Sequence, residues 1–230
     1  MDETKRMPLS LYGLSAENLG KALDIQKAYE SRQIHRWLVR GASSFEEMTD
    51  LSKAERQRLS VLMPKLCSST VQTTSSDEGA TKCVIHLYDD RLIECVVLTD
   101  KRGHRTACLS SQVGCAMGCA FCRTGKMGLF RNLATEEIIE QFIHLSKSGP
   151  ISHIVFMGMG EPMANLPAVL RSIHYFHDPD GFGISYRRMT ISTCGVVPGI
   201  RKLSELKLPI RLAVSLVSAD NTLRSRIMPI

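Results

Sequence analysis

An α/β fold with a small helical N-terminal domain is predicted for this 230-residue chain on three observations. Helix-type spacing and capping signals fill the first 67 residues, and a polar Gly/Ser/Thr-rich stretch follows at 68–80. From residue 81 on, strand patterns come first as a run and then in alternation with helical ones. Strand alternating with helix implies right-handed parallel βαβ units.

In the N-terminal region, residues 30–41 (ESRQIHRWLVRG) place Ile34, Trp37 and Leu38 at i, i+3 and i+4, with Gly41 positioned to end the helix. Trp37 is therefore read as core. Ser44 with Glu47, and Ser52 with Glu55, each spell a capping box that marks a helix start. Residues 68–80 have linker composition, which sets the boundaries at 1–67, a linker over 68–80, and 81–230. Strand candidates follow at Lys82 to Tyr88, Arg91 to Leu98 and Arg105 to Ser111, separated by the turn residues Asp89-Asp90 and by 100–103. They form an expected meander. Thr135 to Leu145 is helical, with Ile138, Ile139, Phe142 and Leu145 on one side. Next come a buried strand at Ile151 to Met157, a helix at Leu166 to Phe176 and a strand at Arg188 to Thr193. A short helix at Ile200 to Leu206 and a strand at Ile210 to Val217 complete the pattern.

Hydrophobic content of 43% and a mean hydropathy of −0.04 describe a soluble globular chain. No apolar run approaches the roughly 18 residues of a membrane helix, and the first residues lead into no apolar segment, so a cytoplasmic location without membrane is expected. Eight cysteines in such a compartment are not expected to form a disulfide framework, and isolated ones such as Cys67 and Cys83 read as small buried hydrophobes. The net charge of +6 is unevenly spread. Residues 101–147 carry 7 Lys+Arg against 3 Asp+Glu and residues 187–230 carry 8 against 2, whereas residues 1–100 carry 13 against 15. A polyanion such as nucleic acid would meet those two basic stretches, although a solvated basic face has the same composition.

The chemistry concentrates in residues 110–125, SSQVGCAMGCAFCRTG, where Cys115, Cys119 and Cys122 form a C-x3-C-x2-C run just after a strand. Soft thiolates at this spacing select zinc, copper(I) or an iron–sulfur cluster. Clusters usually take four cysteines, so three leave one iron open to a small molecule. Zinc remains an alternative if Cys108 joins the three, with His104 nearby as another candidate. Three further features fall at strand ends, where α/β sites lie. Gly158 and Gly160 allow close backbone approach and Glu161 offers a carboxylate to an ammonium group; Ser192 to Gly195 and Ser215 to Ser218 end the next two strands.

Together, the C-x3-C-x2-C run with Phe121 before its last cysteine, MGMGEP at 157–162 and TISTCGVVP at 190–198 resemble the RlmN/Cfr family of radical S-adenosylmethionine (SAM) RNA methyltransferases. TGKMG at 124–128 and RNL at 131–133 add to the match, as do RQIHRW at 32–37 and FEEM at 45–48 in that family's helical RNA-binding domain. The resemblance implies a partial radical-SAM (β/α)6-type barrel after the meander. It implies a 4Fe-4S cluster on Cys115, Cys119 and Cys122, and SAM bound by Gly160, Glu161, Ser192, Ser215, Leu216 and Val217. Glu94 would accept a proton near the substrate base, and Cys108 would resolve the protein–RNA intermediate through a transient disulfide. The implied reaction methylates carbon 2 of an adenine in 23S rRNA, and in tRNA, by way of a methylated protein cysteine; carbon 8, the Cfr-type outcome, is the alternative. A zinc-binding RNA module or an inactive relative stands beside these. The implied partners are RNA and an electron donor such as flavodoxin or ferredoxin, and a monomer is expected.

Two departures accompany the match. The family's methyl-accepting cysteine lies beyond Ile230, so the chain is expected to lack a C-terminal part and not to turn over alone. Val217-Ser218 stands where the family has His-Ala, which removes a side-chain bond to SAM.

Overall fold

Ser52 has extended backbone and accepts a hydrogen bond from the Glu55 amide, so the predicted cap opens a helix at Lys53–Leu62 (α3). It follows two others, Ala16–Ala22 (α1) and Ala28–Val39 (α2), the second closing at Gly41 with φ +86°. The computed structural model describes residues 10–77, 79–179 and 181–230. Trp37 packs against the core while its indole Nε1 donates to Asp50 Oδ1 at 2.6 Å. The capping box predicted at Ser44 and Glu47 does not start a helix. Ser43 and Ser44 hydroxyls instead share the Glu47 carboxylate within a turn, which satisfies the same groups locally without a helical segment behind them.

The stretch at 68–80 is a further correction: Thr70–Asp77 is a strand (β1), paired antiparallel with Ala80–His86 (β2). Its Thr-rich composition, read as linker chemistry, also suits a strand with a hydrated face. The meander continues through Leu92–Thr99 (β3) and Arg105–Cys108 (β4), both antiparallel to their predecessors.

At β4 the sheet changes character. His153–Phe156 (β7), Met189–Thr193 (β8) and Arg211–Val214 (β9) add in parallel, giving one seven-stranded sheet in the order β1-β2-β3-β4-β7-β8-β9. Between β4 and β7 run a two-stranded ribbon of Gln112–Gly114 (β5) and Leu129–Asn132 (β6), a short helix Arg123–Lys126 (α4), and helix Thr135–Ser146 (α5). Helices Leu166–His177 (α6) and Val197–Glu205 (α7) complete the later βα units, and Asn221–Ile227 (α8) follows β9. The sheet is thus half antiparallel meander and half parallel βα units, and the parallel half, β4-β7-β8-β9, has the arrangement expected of a partial (β/α)6-type barrel. No helix among the described residues is long and apolar enough to cross a membrane.

Burial follows the two-residue period of a strand. Ile93, Cys95 and Val97 of β3 are buried on the side where α5 packs, while Glu94 and Leu98 are exposed on the other. Phe142 of α5 centres the core, with the rings of Phe176 and Phe182 at 4.8 and 4.7 Å. The N-terminal helices contribute Leu19, Ile34, Leu38 and Leu59 to the same continuous cluster.

One ion pair fastens the ribbon to this core. Glu137, on the first turn of α5, is fully buried; its oxygens take both Arg131 Nη atoms at 2.7 and 2.8 Å and the Ala134 amide at 2.8 Å. Arg131 also reaches Asp89 at 2.8 Å. Removing one member of a buried pair strands the other charge, which costs about 3–5 kcal/mol. Arg131→Ala is expected to lower unfolding stability by about that amount, read as a lower urea midpoint at unchanged slope.

Candidate functional site

The cysteine loop leaves the ribbon at β5 and returns at β6. Cys115 donates its amide to Gly128 O at 2.9 Å, and the Cys122 amide closes a turn on Cys119 O at 3.0 Å. Cys122 is also the residue before α4, where its sulfur accepts the Gly125 amide at 3.4 Å. A third bond ties the loop to the far end of the chain, from the Ala120 amide to Ile227 O at 2.8 Å. Cys115 and Cys119 are buried and Cys122 is half-buried.

Burial pushes the Cys115 and Cys119 thiols up, and the neighbouring cysteines and Glu161 push them further in the same direction. Three thiolates beside a carboxylate therefore need a positive centre among them. The donor set and its electrostatics fit a metal group. Tetrahedral zinc, with Zn–S bonds of about 2.3 Å, would hold ligand sulfurs about 3.8 Å apart. Among the described residues, only Cys67, Glu140 and His144 form a set of ligand atoms within 4.8 Å of one another. The three loop sulfurs do not all lie within that span of one another. Cys108 does not join them: it lies on β4 and its thiol is raised by burial.

The glycine-glutamate loop follows β7 and is clamped to the segment joining β4 to the ribbon and to the first residue of β5. The Met159 amide donates to Ser110 Oγ at 2.8 Å, and Met159 O accepts the amides of Ser111 and Gln112 at 2.8 and 3.2 Å. Gln112 then returns its Oε1 to the Glu161 amide at 2.8 Å while its Nε2 donates to Asn132 at 2.7 Å. Gly160 sits at φ +98°, and a Cβ there would lie 2.5 Å from Gln112 Cβ. Only glycine fits that approach.

Glu161 is 3% exposed. Its Oε1 accepts the Met163 amide at 3.0 Å and its Oε2 the Cys194 amide at 2.9 Å, so the carboxylate bridges the ends of β7 and β8. Cys194 itself is buried, and burial followed by Glu161 raises its thiol strongly. Beyond β8, Thr193 Oγ1 accepts the amides of Gly195 and Val196, and Thr193 O accepts the Ser215 amide at 2.9 Å, joining the end of β9 to the same cluster of loops. Arg224 of α8 closes the rim with bonds to Cys194 O at 2.7 Å and Leu216 O at 3.2 Å.

These segments enclose a cleft of about 300 Å³, lined by all three loop cysteines and by Gly160, Glu161, Ser192, Cys194 and Ser215. Of the candidate residues read from the sequence, seven thus share one cavity. Leu216 and Val217 do not line it: they are 60% and 48% exposed, and Val217 has φ +62°, which turns the chain away. Glu94 and Cys108 lie apart from it too. The register pairs Val96 with Cys108, so Glu94 and Cys108 are diagonal neighbours on one face of the sheet, where Glu94 pairs with Lys82 at 3.0 Å. All eight cysteines are free. Sequence reasoning missed Gln112, Cys194, Arg224 and Met228. Gln112, inside the cysteine-loop string, and Cys194, inside the strand-end string, lay in segments already singled out, whereas Arg224 and Met228 carried no such signal.

Residues 109–230 match the model of the radical SAM superfamily, and residues 10–63 match the model described as ribosomal RNA large subunit methyltransferase N-terminal domain. A probable dual-specificity RNA methyltransferase RlmN from Treponema pallidum strain Nichols is 45% identical over 222 residues, covering 96% of this chain and 65% of the relative. The protein of the same name from Moorella thermoacetica is 48% identical, covering 88% of this chain and 60% of the relative. The chain therefore spans about two thirds or less of these relatives' length. Among solved structures, a radical SAM methyltransferase from Sphaerobacter thermophilus superposes with a TM-score of 0.88 at 35% identity, over 96% of this chain and 67% of that one.

Gly160→Ala is expected to disrupt this loop, since the new methyl meets Gln112 and the backbone is held where side chains are strained, at a cost of about 1–3 kcal/mol or more. A thermal melt should show the loss, while Gly103→Ala, which meets nothing within 4 Å, should lose less.

Proposed function

This chain belongs to the radical SAM superfamily, and we propose that it carries the cluster-binding and RNA-binding parts of a methyltransferase acting on carbon 2 of an adenine in 23S rRNA and tRNA. The observation that supports this best is the meeting of three cysteines and one buried carboxylate in a single cleft. The superfamily implies a 4Fe-4S cluster and SAM. Cys115, Cys119 and Cys122 would hold the cluster, which when bound supplies the one-electron chemistry that an electron-poor adenine carbon requires.

Glu161 takes the ammonium of SAM. Each of its oxygens has spent one lone pair on an amide and keeps another for a ligand. Gly160, with no side chain, lets the ligand lie against the backbone, and the Ser192 and Ser215 hydroxyls supply polar contacts on the cleft wall. Burial keeps water from competing for the carboxylate. On the adjoining sheet face, Glu94 offers an exposed carboxylate as proton acceptor, and Cys108 stands diagonally beside it as the thiol that, once deprotonated, would attack the sulfur linking protein to RNA: an S–S bond forms as the S–C bond breaks, and the carbon leaves with the electron pair and takes up a proton as the methyl group. The basic residues of 101–147 and 187–230, with exposed Arg32 and Arg36 on α2, provide the RNA-facing charge. An electron donor of the flavodoxin or ferredoxin type supplies the reducing equivalent.

Reconstitution with iron and sulfide under anaerobic conditions tests the reading. Binding of about four irons and of SAM is expected; zinc without iron would sink it. Glu161→Gln should keep the iron and weaken SAM binding about 10- to 100-fold, the worth of a hydrogen bond to a charge. RNA affinity should fall steeply between low and physiological salt, since each neutralised phosphate releases counterions; a flat response would remove the basic segments from the interface. In RNA treated with the methylating protein, 2-methyladenosine by mass analysis supports the assignment, and 8-methyladenosine replaces it with the carbon 8 alternative.

A further inference from the structure

Outside the cleft, a second group of ligand atoms meets where the chain leaves the N-terminal helices and passes α5. Glu140 and His144 are one helical turn apart and project from the same face of α5, and Cys67 faces them from the segment ahead of β1. A ligand atom from each lies within 4.8 Å of the other two. Glu140 is fully buried, His144 is 8% exposed and Cys67 is half-buried. Cys67 also packs against the core, as its isolation in the sequence suggests.

The hydrogen bonding around this group is lopsided. Glu140 accepts the Ser68 and Ser69 amides at 2.7 and 2.9 Å and both serine hydroxyls. His144 Nε2 lies 3.2 Å from Ser69 Oγ, but His144 Nδ1 is buried with no partner. A buried polar atom left unpaired costs about 1–3 kcal/mol, so a water or a ligand is expected beside it. Beside the group, Cys67 and Ser68 form part of the wall of a cleft of about 640 Å³ lined also by Leu23, Met63 and Pro64. That cleft gives access to the group from the Cys67 side.

We propose that Cys67, Glu140 and His144 bind a zinc ion that clamps the end of the N-terminal helical region to α5. Thiolate, imidazole and carboxylate together are a zinc donor set. The Ser68 and Ser69 amides hold the Glu140 carboxylate in place as outer partners of a ligand, while a serine hydroxyl turns away to free a lone pair for the ion, which draws the three donors inward by about 1 Å from their present limit.

The test keeps the loop cysteines out of the measurement. The C115S/C119S/C122S chain, loaded with zinc and dialysed, is expected to retain one zinc per chain by mass spectrometry, and Co(II) in its place should show a thiolate charge-transfer band that zinc displaces. Adding Cys67→Ser should remove the band, and adding His144→Ala should weaken zinc binding at least tenfold. Circular dichroism reports whether each variant folds; if Cys67→Ser does not, the cobalt band of the parent and its loss on adding zinc decide. Absence of stoichiometric zinc, or a cobalt band unchanged by Cys67→Ser, overturns the proposal. Either result leaves the iron-binding reading of the loop untouched.

Discussion

Burial of the Glu161 carboxylate is the constraint on which the site depends. A lone buried charge is expensive, several kcal/mol even after relaxation, and here two amides from different segments offset it. Those amides belong to Met163, in the turn Glu161 itself opens, and to Cys194, past the end of β8. The carboxylate therefore sets the distance between two neighbouring strand ends. The same residue receives its own amide bond from Gln112, which brings the ribbon and hence the cysteine loop into the arrangement. Charge, ribbon and strand ends are positioned by one side chain.

The electrostatics of the cleft run one way. Burial first, and then Glu161 and the neighbouring cysteines, raise the thiols of Cys115, Cys119 and Cys194, with Arg224 the cation that moves Cys119 in the opposite direction. Such a group is costly to hold charged without added positive charge, and it becomes favourable once a metal group and an ammonium enter. The fold concentrates negative donors and leaves their neutralisation to what binds.

Much of the fold was legible in the sequence because its signals are local. The apolar spacing of Ile138, Ile139 and Phe142, the Ser52 cap and the buried run at His153–Phe156 are patterns within one element. The linker reading of 68–80 failed because β1 derives its stability from pairing with β2, a partner that lies outside its own composition. Ser44 to Glu47 failed for a related reason: capping groups fit a turn as readily as a helix start. In the site, Cys115, Cys119, Cys122 and Glu161 announce themselves by chemistry and spacing, whereas Gln112 and Arg224 act through bonds to residues 49 and 30 positions away. Leu216 and Val217 stand outside the cleft lining, and the positive φ at Val217 could not be read in advance because a β-branched side chain disfavours it.

The bond from Ala120 to Ile227, with Arg224 on Cys194 and Met228 packed against Cys119, makes α8 part of the wall around the cysteines. Segments held together in this way share their free energy. Whatever occupies the loop stabilises α8 by the amount that α8 tightens its binding, so order in the last turn of the chain becomes a remote gauge of whether the cysteines are loaded.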